Sequence, residues 1–120
     1  MAKLIGRILV IDEDRDVSRF LRLKLDEDLY EVLTAGDPEE GIRMVKKKRP
    51  DVVFIDLGMT PRRRLEAVRR IKNVDESIGV VVTTGAGCID TAKRVMRLGV
   101  LDCITKPLDA EILRRLIMTQ

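Results

Sequence analysis

The sequence contains no histidine and no tryptophan, and its aromatic residues are Phe20, Tyr30 and Phe54. Without histidine there is no imidazole base, no histidine metal ligand and no serine–histidine triad. So few aromatic rings also exclude the stacking platforms on which single-stranded nucleic acids bind. The core of the folded chain must therefore be built from aliphatic side chains.

Cysteine and long apolar runs are also scarce. Cys88 and Cys103 are too few for a four-ligand zinc site or a dense disulfide framework. The apolar run Ile8–Ile11 is cut by Asp12, which makes it too short for a signal-peptide core or a membrane span. We therefore expect a cytoplasmic protein in a reducing compartment.

Charge is present in both signs and almost balanced, with 23 basic and 20 acidic residues and a net charge of +3. On charge alone, this balance predicts neither direct nucleic-acid binding nor membrane binding. The chain has 120 residues, of which 45% are hydrophobic, and this is typical of one globular domain. We expect residues 1–120 to form a single domain with a core over about residues 7–118.

Short β-branched runs alternate along the chain with stretches whose apolar residues recur at helical spacing. Strands that are apolar throughout are typical of a parallel sheet covered on both faces. The pattern predicts an α/β fold, a (βα)5 doubly wound parallel five-stranded sheet with helices on both faces. The predicted strands cover residues 7–11, 30–34, 51–55, 78–82 and 100–104.

Helix signals are strongest near Asp37, which is predicted to cap the second helix, with Pro38 at its first position and Glu40 three residues after the cap. The run Arg62–Arg64 opposes a helix dipole, so we expect a solvated loop that delays the third helix. An arginine leaning over an acidic site is the alternative interpretation. The first helix is predicted to bury one stripe of residues: Val17, Phe20, Leu21 and Leu25.

Polar residues follow four of the five predicted strands, and in such sheets the carboxyl ends of the strands meet at one functional edge. Neighbouring carboxylates repel one another unless a cation lies between them, and oxygen ligands without histidine suit Mg²⁺. A carboxylate can also accept a phosphoryl group, whose oxygens a lysine and a hydroxyl can hold. The simpler interpretation is that the acids only cap a helix. The residues are Asp12, Glu13, Asp14, Asp56, Thr83, Thr84, Thr105 and Lys106.

Four segments, residues 8–14, 50–57, 80–84 and 101–107, resemble those of a response-regulator receiver domain of two-component signalling. The resemblance covers Arg7 to about Met118. It implies the flavodoxin-like fold with strand order 2-1-3-4-5, in which the first and third strands are neighbours. It also implies a signalling domain rather than an enzyme, with at most self-catalysed phosphorylation and dephosphorylation.

The resemblance implies a role for each matching residue. Asp56 would be the phosphoacceptor, and Asp12 and Glu13 the acidic pair that binds Mg²⁺, the implied cofactor. Asp12 and Asp56 would bind the ion directly, and the carbonyl of Gly58 would complete the protein ligands. The phosphoryl oxygens would be held by two further side chains, those of Thr84 and Lys106.

The implied partners are a sensor histidine kinase or a phosphotransfer protein, and downstream an output domain, an output protein or a phosphorylation-dependent homodimer. The chain departs from the family pattern at three positions. Thr60 and Arg64 replace a proline and a glycine in the loop after the acceptor, and Cys103 replaces the aromatic switch residue. We expect Cys103 to weaken the conformational switch, because a small side chain moves little apolar area.

Two alternative functions stay open at this point. The first is a docking module that keeps the fold and signals without phosphorylation. The second is a small phosphohydrolase, since Asp12 and Asp14 resemble the nucleophile motif of haloacid-dehalogenase-type phosphatases. The nucleophile distinguishes the two phosphoryl-transfer hypotheses, because it is Asp12 in a phosphatase and Asp56 in a receiver.

Overall fold

The computed structural model describes residues 6–26, 30–56, 61–84, 97–100, 102–105, 111 and 115. The elements are β1 (Gly6–Ile11), α1 (Arg15–Asp26), β2 (Tyr30–Ala35), α2 (Pro38–Lys48), β3 (Val52–Asp56), α3 (Pro61–Val74), β4 (Gly79–Thr84) and β5 (Asp102–Thr105). Glu111 and Arg115 are helical. The helix predicted around residues 89–96 lies outside the described residues.

All five strands form one parallel sheet in the order β2-β1-β3-β4-β5. This confirms the predicted α/β class and strand order. The strands β3, β4 and β5 begin and end one or two residues later than predicted. They extend toward the carboxyl edge because Asp56 pairs with Thr83, and Thr84 with Thr105.

Each face of the sheet is covered by its own apolar layer. On one face α2 and α3 pack through Ile42, Val45, Val68 and Ile71 against alternate residues of β1, β3 and β4. On the other face α1 packs through Leu21 against the remaining strand residues. No helix in the described part of the chain is long and apolar enough to cross a membrane.

Helix α1 buries a narrower stripe than predicted. Leu21 is fully buried and Val17 is half-buried, but Phe20 is 37% exposed, so its predicted core position is wrong. The buried stripe runs through Val17, Ser18 and Leu21, and one residue of a helix turns the side chain by about 100°. Phe20 therefore lies at the margin of this stripe, partly exposed to solvent. The predicted contact of Leu25 lies outside the described side chains.

The termini of α2 and the start of α3 are set by single residues. The carboxylate of Asp37 accepts the Glu40 N–H at 2.8 Å, which confirms the predicted cap. Arg49 ends α2 in the left-handed region with φ 49°. Helix α3 begins at Pro61, whose fixed φ suits a first helical position. The expected loop over Arg62–Arg64 is therefore wrong, because these residues form the first turn.

An ion pair joins the two helices that share a face. The Arg70 guanidinium donates to the Glu39 carboxylate at 2.7 Å. This hydrogen bond and the positive charge of Arg70 hold the pKa of Glu39 below its usual range. Both side chains are partly exposed, so we expect the pair to contribute modestly to stability.

Gly41 should not tolerate alanine. A Cβ there would lie 2.6 Å from Ile11 Cγ1, and Ile11 is buried directly before Asp12. We expect Gly41→Ala to lower the free energy of unfolding by about 1–3 kcal/mol, although alanine is favoured over glycine in helices by about 1 kcal/mol. Gly36→Ala, with no atom within 4 Å of its Cβ, is the matched control. Equal urea midpoints for both variants would contradict this packing.

The Glu39–Arg70 pair should make the free energy of unfolding depend on pH in the acidic range. Because the folded-state pKa of Glu39 is lowered, its contribution is present above the unfolded pKa of about 4.3 and is lost as the pH falls through the folded value. Glu39→Gln should therefore be less stable than wild type at neutral pH, with the difference shrinking below about pH 4. Urea denaturation between neutral and acidic pH measures this. The exposed Glu76→Gln is the control, and an equal pH dependence for both variants would refute the prediction.

Candidate functional site

The pairing of β1 with β3 brings two acidic residues to one edge of the sheet. Ile11 pairs with Ile55 in register, and Asp12 and Asp56 follow them on neighbouring strands. The Asp12 N–H also donates to the Ala35 carbonyl at the end of β2, at 3.0 Å. Neighbouring strands lie only about 4.8 Å apart. The predicted proximity of Asp12 and Asp56 thus follows from the observed register.

The three consecutive acids after β1 divide into different roles. Asp12 is buried, and its carboxylate accepts the Asp14 N–H at 2.8 Å. Asp14 is exposed, and its carboxylate accepts the Asp16 N–H at 2.9 Å in the first turn of α1. The simple capping interpretation therefore holds for Asp14 and not for Asp12. Glu13 lies between them and is exposed.

A small cavity of about 50 Å³ lies where these strand ends meet. Asp56, half-buried, and the predicted pair Asp12 and Glu13 line it together. Asp37 lines it too, although the sequence pattern indicated only its capping role. The position of Asp37 directly after β2 could have indicated this second role, because β2 lies next to β1 in the sheet. The remaining lining residues are Ile11, Gly36 and Pro38.

The donors at this edge suit a hard cation. Among the residues that the structure describes, no three side chains of the types His, Cys, Asp and Glu are grouped closely enough to hold a metal alone. Mg²⁺ does not require such a group, because it is bound by one or two carboxylates and keeps several waters. Asp12 and Asp56 are the pair that the sequence predicts for this role. Gly58, the third expected ligand, lies outside the described residues.

The predicted phosphate-holding residues follow the strands on the other side of β3. Asp56 pairs with the buried Thr83, and Thr84 is the last residue of β4. Thr84 pairs with Thr105, which is the residue directly before Lys106. The register therefore places the predicted Thr84 level with the end of β5, where Lys106 follows in the sequence. The Thr84 side chain and all of Lys106 lie outside the described part of the chain.

The three departures from the family pattern fall in different places. Cys103 pairs with Val82 and packs, half-buried, against the core layer on the face of α2 and α3. Arg64 lies in the first turn of α3, so helix has already begun where the pattern has its glycine. Thr60 lies outside the described residues. The predicted weakening of the switch by Cys103 stays a prediction.

Most of the chain is similar to proteins of one family. Residues 8–118 match the family model of the response regulator receiver domain. Sporulation initiation phosphotransferase F of Bacillus subtilis is 28% identical over 108 residues, which are 90% of this chain and 87% of that protein. A crystal structure of a response regulator receiver domain protein from Clostridium thermocellum superposes with a TM-score of 0.88 at 31% identity, covering 96% of this chain and 93% of that one.

Other relatives are much longer than this chain. Transcriptional regulatory protein GlrR of Escherichia coli K12 is 30% identical over 112 residues, which are 93% of this chain and 25% of that protein. The chain thus spans about a quarter of the length of the transcriptional regulators that it matches.

The division of roles between Asp12 and Asp14 can be measured directly. Asp14→Ala should lower the free energy of unfolding by about 1 kcal/mol, because the Asp16 N–H loses its acceptor. Asp14→Asn keeps a side-chain oxygen at the cap and should lower the free energy of unfolding by only a few tenths of a kcal/mol. Thermal or urea denaturation compares the two variants. Equal destabilisation by alanine and asparagine would show that Asp14 is not the cap.

Proposed function

The chain belongs to the response regulator receiver domains, and we propose that it accepts a phosphoryl group on Asp56 with Mg²⁺ bound beside it. The observation that carries this proposal is the shared cavity of Asp12, Glu13 and Asp56 at the ends of two adjacent parallel strands. We also propose that residues 1–120 act as a single receiver domain of a two-component system.

The acceptor chemistry needs a carboxylate that a donor can reach. Asp56 ends β3 and is half-buried at the cavity, whereas Asp12 is 5% exposed. One Asp56 oxygen attacks the phosphorus of a phosphohistidine on the donor, a P–O bond forms, and the P–N bond breaks. The electron pair of that bond stays on the imidazole nitrogen, which then takes a proton.

Receiver domains bind Mg²⁺ at the phosphorylation site, and in this chain Asp12, Asp56 and the Gly58 carbonyl would hold it, with Glu13 acting directly or through water. The ion would neutralise the charge that develops on the phosphoryl oxygens. The buried Asp12 is held in place by the Asp14 N–H at 2.8 Å. Thr84 and Lys106 would hold the phosphoryl oxygens from the neighbouring strand ends.

The donor is proposed to be a sensor histidine kinase or a phosphotransfer protein in the cytoplasm. Helix α1 starts at the acidic edge and carries both large apolar side chains that are exposed among the described residues, Phe20 and Leu23. Exposed apolar side chains beside a reactive edge are what a protein partner can bury. The output would pass to a further domain, a partner protein or a homodimer.

The phosphohydrolase alternative is disfavoured by the same geometry. A nucleophilic Asp12 would have to react from a buried position while accepting the Asp14 N–H. The carboxylate of Asp14, the second acid of that motif, accepts a hydrogen bond from the Asp16 N–H. The docking alternative rests on Thr60, Arg64 and Cys103, and the labelling experiment below decides it.

Asp56→Asn should abolish labelling by a small phosphodonor. Wild type incubated with Mg²⁺ and acetyl phosphate or phosphoramidate should gain the mass of one phosphoryl group, and EDTA should prevent the gain. The asparagine variant should gain nothing, because an amide oxygen is a far weaker nucleophile than a carboxylate. Intact-protein mass spectrometry, with tryptic mapping of the label, is the measurement.

Asp75→Asn is the matched control, because Asp75 lies in the turn before β4, at the opposite end of the sheet from Asp56, and its carboxylate accepts hydrogen bonds only from Ser77 among the described residues. It should be labelled as fully as wild type. Label retained in Asp56→Asn and lost in Asp12→Asn would establish the phosphohydrolase nucleophile instead. A wild-type chain that takes no label while its circular dichroism shows a folded protein would favour the phosphorylation-independent docking module.

A further inference from the structure

A second, larger cavity lies on the face of the sheet that α2 and α3 cover. Its volume is about 600 Å³, and we name it the α2–α3 groove. Three cations, an amide and two apolar side chains line it, and no carboxylate is among the lining residues. They are Lys46, Arg49, Arg70, Asn73, Ile42 and Val74.

The small net charge of the chain hides a strong segregation of charge. Residues 38–49 and 61–74, which form α2 with its cap and α3, contain eleven basic and three acidic residues. The rest of the chain contains twelve basic and seventeen acidic residues. Because α2 and α3 pack on the same face of the sheet, that side of the molecule carries an excess of eight positive charges, whereas the rest of the chain carries an excess of five negative charges.

The stability of the helices explains only part of this charge. Lys46, Lys47 and Lys48 lie in the last turn of α2, where cations are favoured by the helix dipole. The run Arg62–Arg64 lies in the first turn of α3, which contains no acid and where cations are disfavoured. The Arg62–Arg64 turn lies at the opposite end of α3 from the groove residues Asn73 and Val74, so its charge is not assigned to the groove.

Among the eight basic side chains of α2, its cap and α3 that the structure describes, Arg49, Arg70 and Lys72 are bonded within the protein. Arg70 is paired with Glu39, and Arg49 donates to the Val74 carbonyl at 3.0 Å, which places both guanidinium groups beside the groove. Arg43, Lys46 and Arg69 are exposed and make no hydrogen bond or ion pair within the described part of the chain. These side chains are available to an external polyanion.

We propose that the α2–α3 groove and its flanking cations bind the phosphate backbone of duplex nucleic acid, without reading its sequence. Seven of the eleven cations are arginines, whose guanidinium forks suit phosphate oxygens. Neither helix contains an aromatic residue, so stacking on single strands is excluded. The binding uses residues other than the acidic edge and does not depend on phosphorylation of Asp56.

Two other anionic partners fit the surface less well. Anionic membranes are bound by helices that insert apolar side chains, but the large apolar side chains exposed among described residues, Phe20 and Leu23, lie on α1 at the opposite face. Acidic protein partners usually need buried apolar or aromatic anchors at the centre of the interface, and the groove rim offers cations instead. Duplex binding by this face would depart from the expectation drawn from the net charge.

The test is fluorescence anisotropy of a short labelled DNA duplex of mixed sequence, titrated at several salt concentrations. Wild type should bind with an affinity that falls steeply with salt. The triple variant Arg43→Gln, Lys46→Gln, Arg69→Gln should bind at least about tenfold more weakly near 100 mM salt, and its slope of log affinity against log salt should be less negative by about 2.7. Scrambling the duplex sequence should change nothing.

The matched control removes the same charge elsewhere, with Arg15→Gln, Arg19→Gln and Arg97→Gln, all exposed and outside α2 and α3. It should bind within about twofold of wild type. Arg43→Lys, Lys46→Arg, Arg69→Lys keeps the charge and should also retain binding, which guards against a folding defect. Equal losses in both glutamine triples, no binding at low salt, or tighter binding to polyglutamate or anionic vesicles than to the duplex would each overturn the proposal.

Discussion

The parallel pairing of β1 with both β2 and β3 is the constraint on which the rest of the molecule depends. Arg7 holds the start of β1 on both sides, through its Nε to Glu31 at 2.7 Å and its backbone N–H to Asp51 at 2.8 Å. With that end held, Ile11 pairs with Ile55 and with Ala35. A slip of one residue would turn every β1 side chain to the opposite face. Asp12 and Asp56 share a cavity only in the observed register.

The two-sided burial of β1 explains why so polar an edge is tolerated. Its four buried apolar residues alternate between the two core layers, Ile8 and Val10 on one and Leu9 and Ile11 on the other. Burying each such side chain stabilises the fold by about 1.5–3 kcal/mol. That gain offsets the cost of placing carboxylates together at the strand ends, which the Asp14 N–H reduces further by donating to Asp12. A divalent cation would remove most of the remaining repulsion.

Helix α2 connects the two sites on the molecule. Its capping residue Asp37 lines the acidic cavity, while Lys46 and Arg49 at its other end line the cationic groove. This polarity matches the helix dipole, which favours acids at the start and cations at the end. Gly41 lies between the two sites and lets the helix approach Ile11 too closely for any side chain. The position of α2 therefore sets the geometry of the cavity and the groove together.

The amino-acid sequence by itself determined the alternation of strands and helices, the cap at Asp37, and the acids that follow β1 and β3. These features depend on residues close in the chain, whose spacing and capping chemistry are local. Only the tertiary structure decided that Asp14 caps α1 while Asp12 is buried, because each carboxylate accepts the N–H two residues on and only the packing of the sheet edge buries Asp12. It also decided that Phe20 is partly exposed while Leu21 is fully buried, since adjacent helical positions differ by only about 100°. The concentration of cations on one face, finally, depends on which helices share a side of the sheet. The number of basic residues in the sequence does not reveal that arrangement.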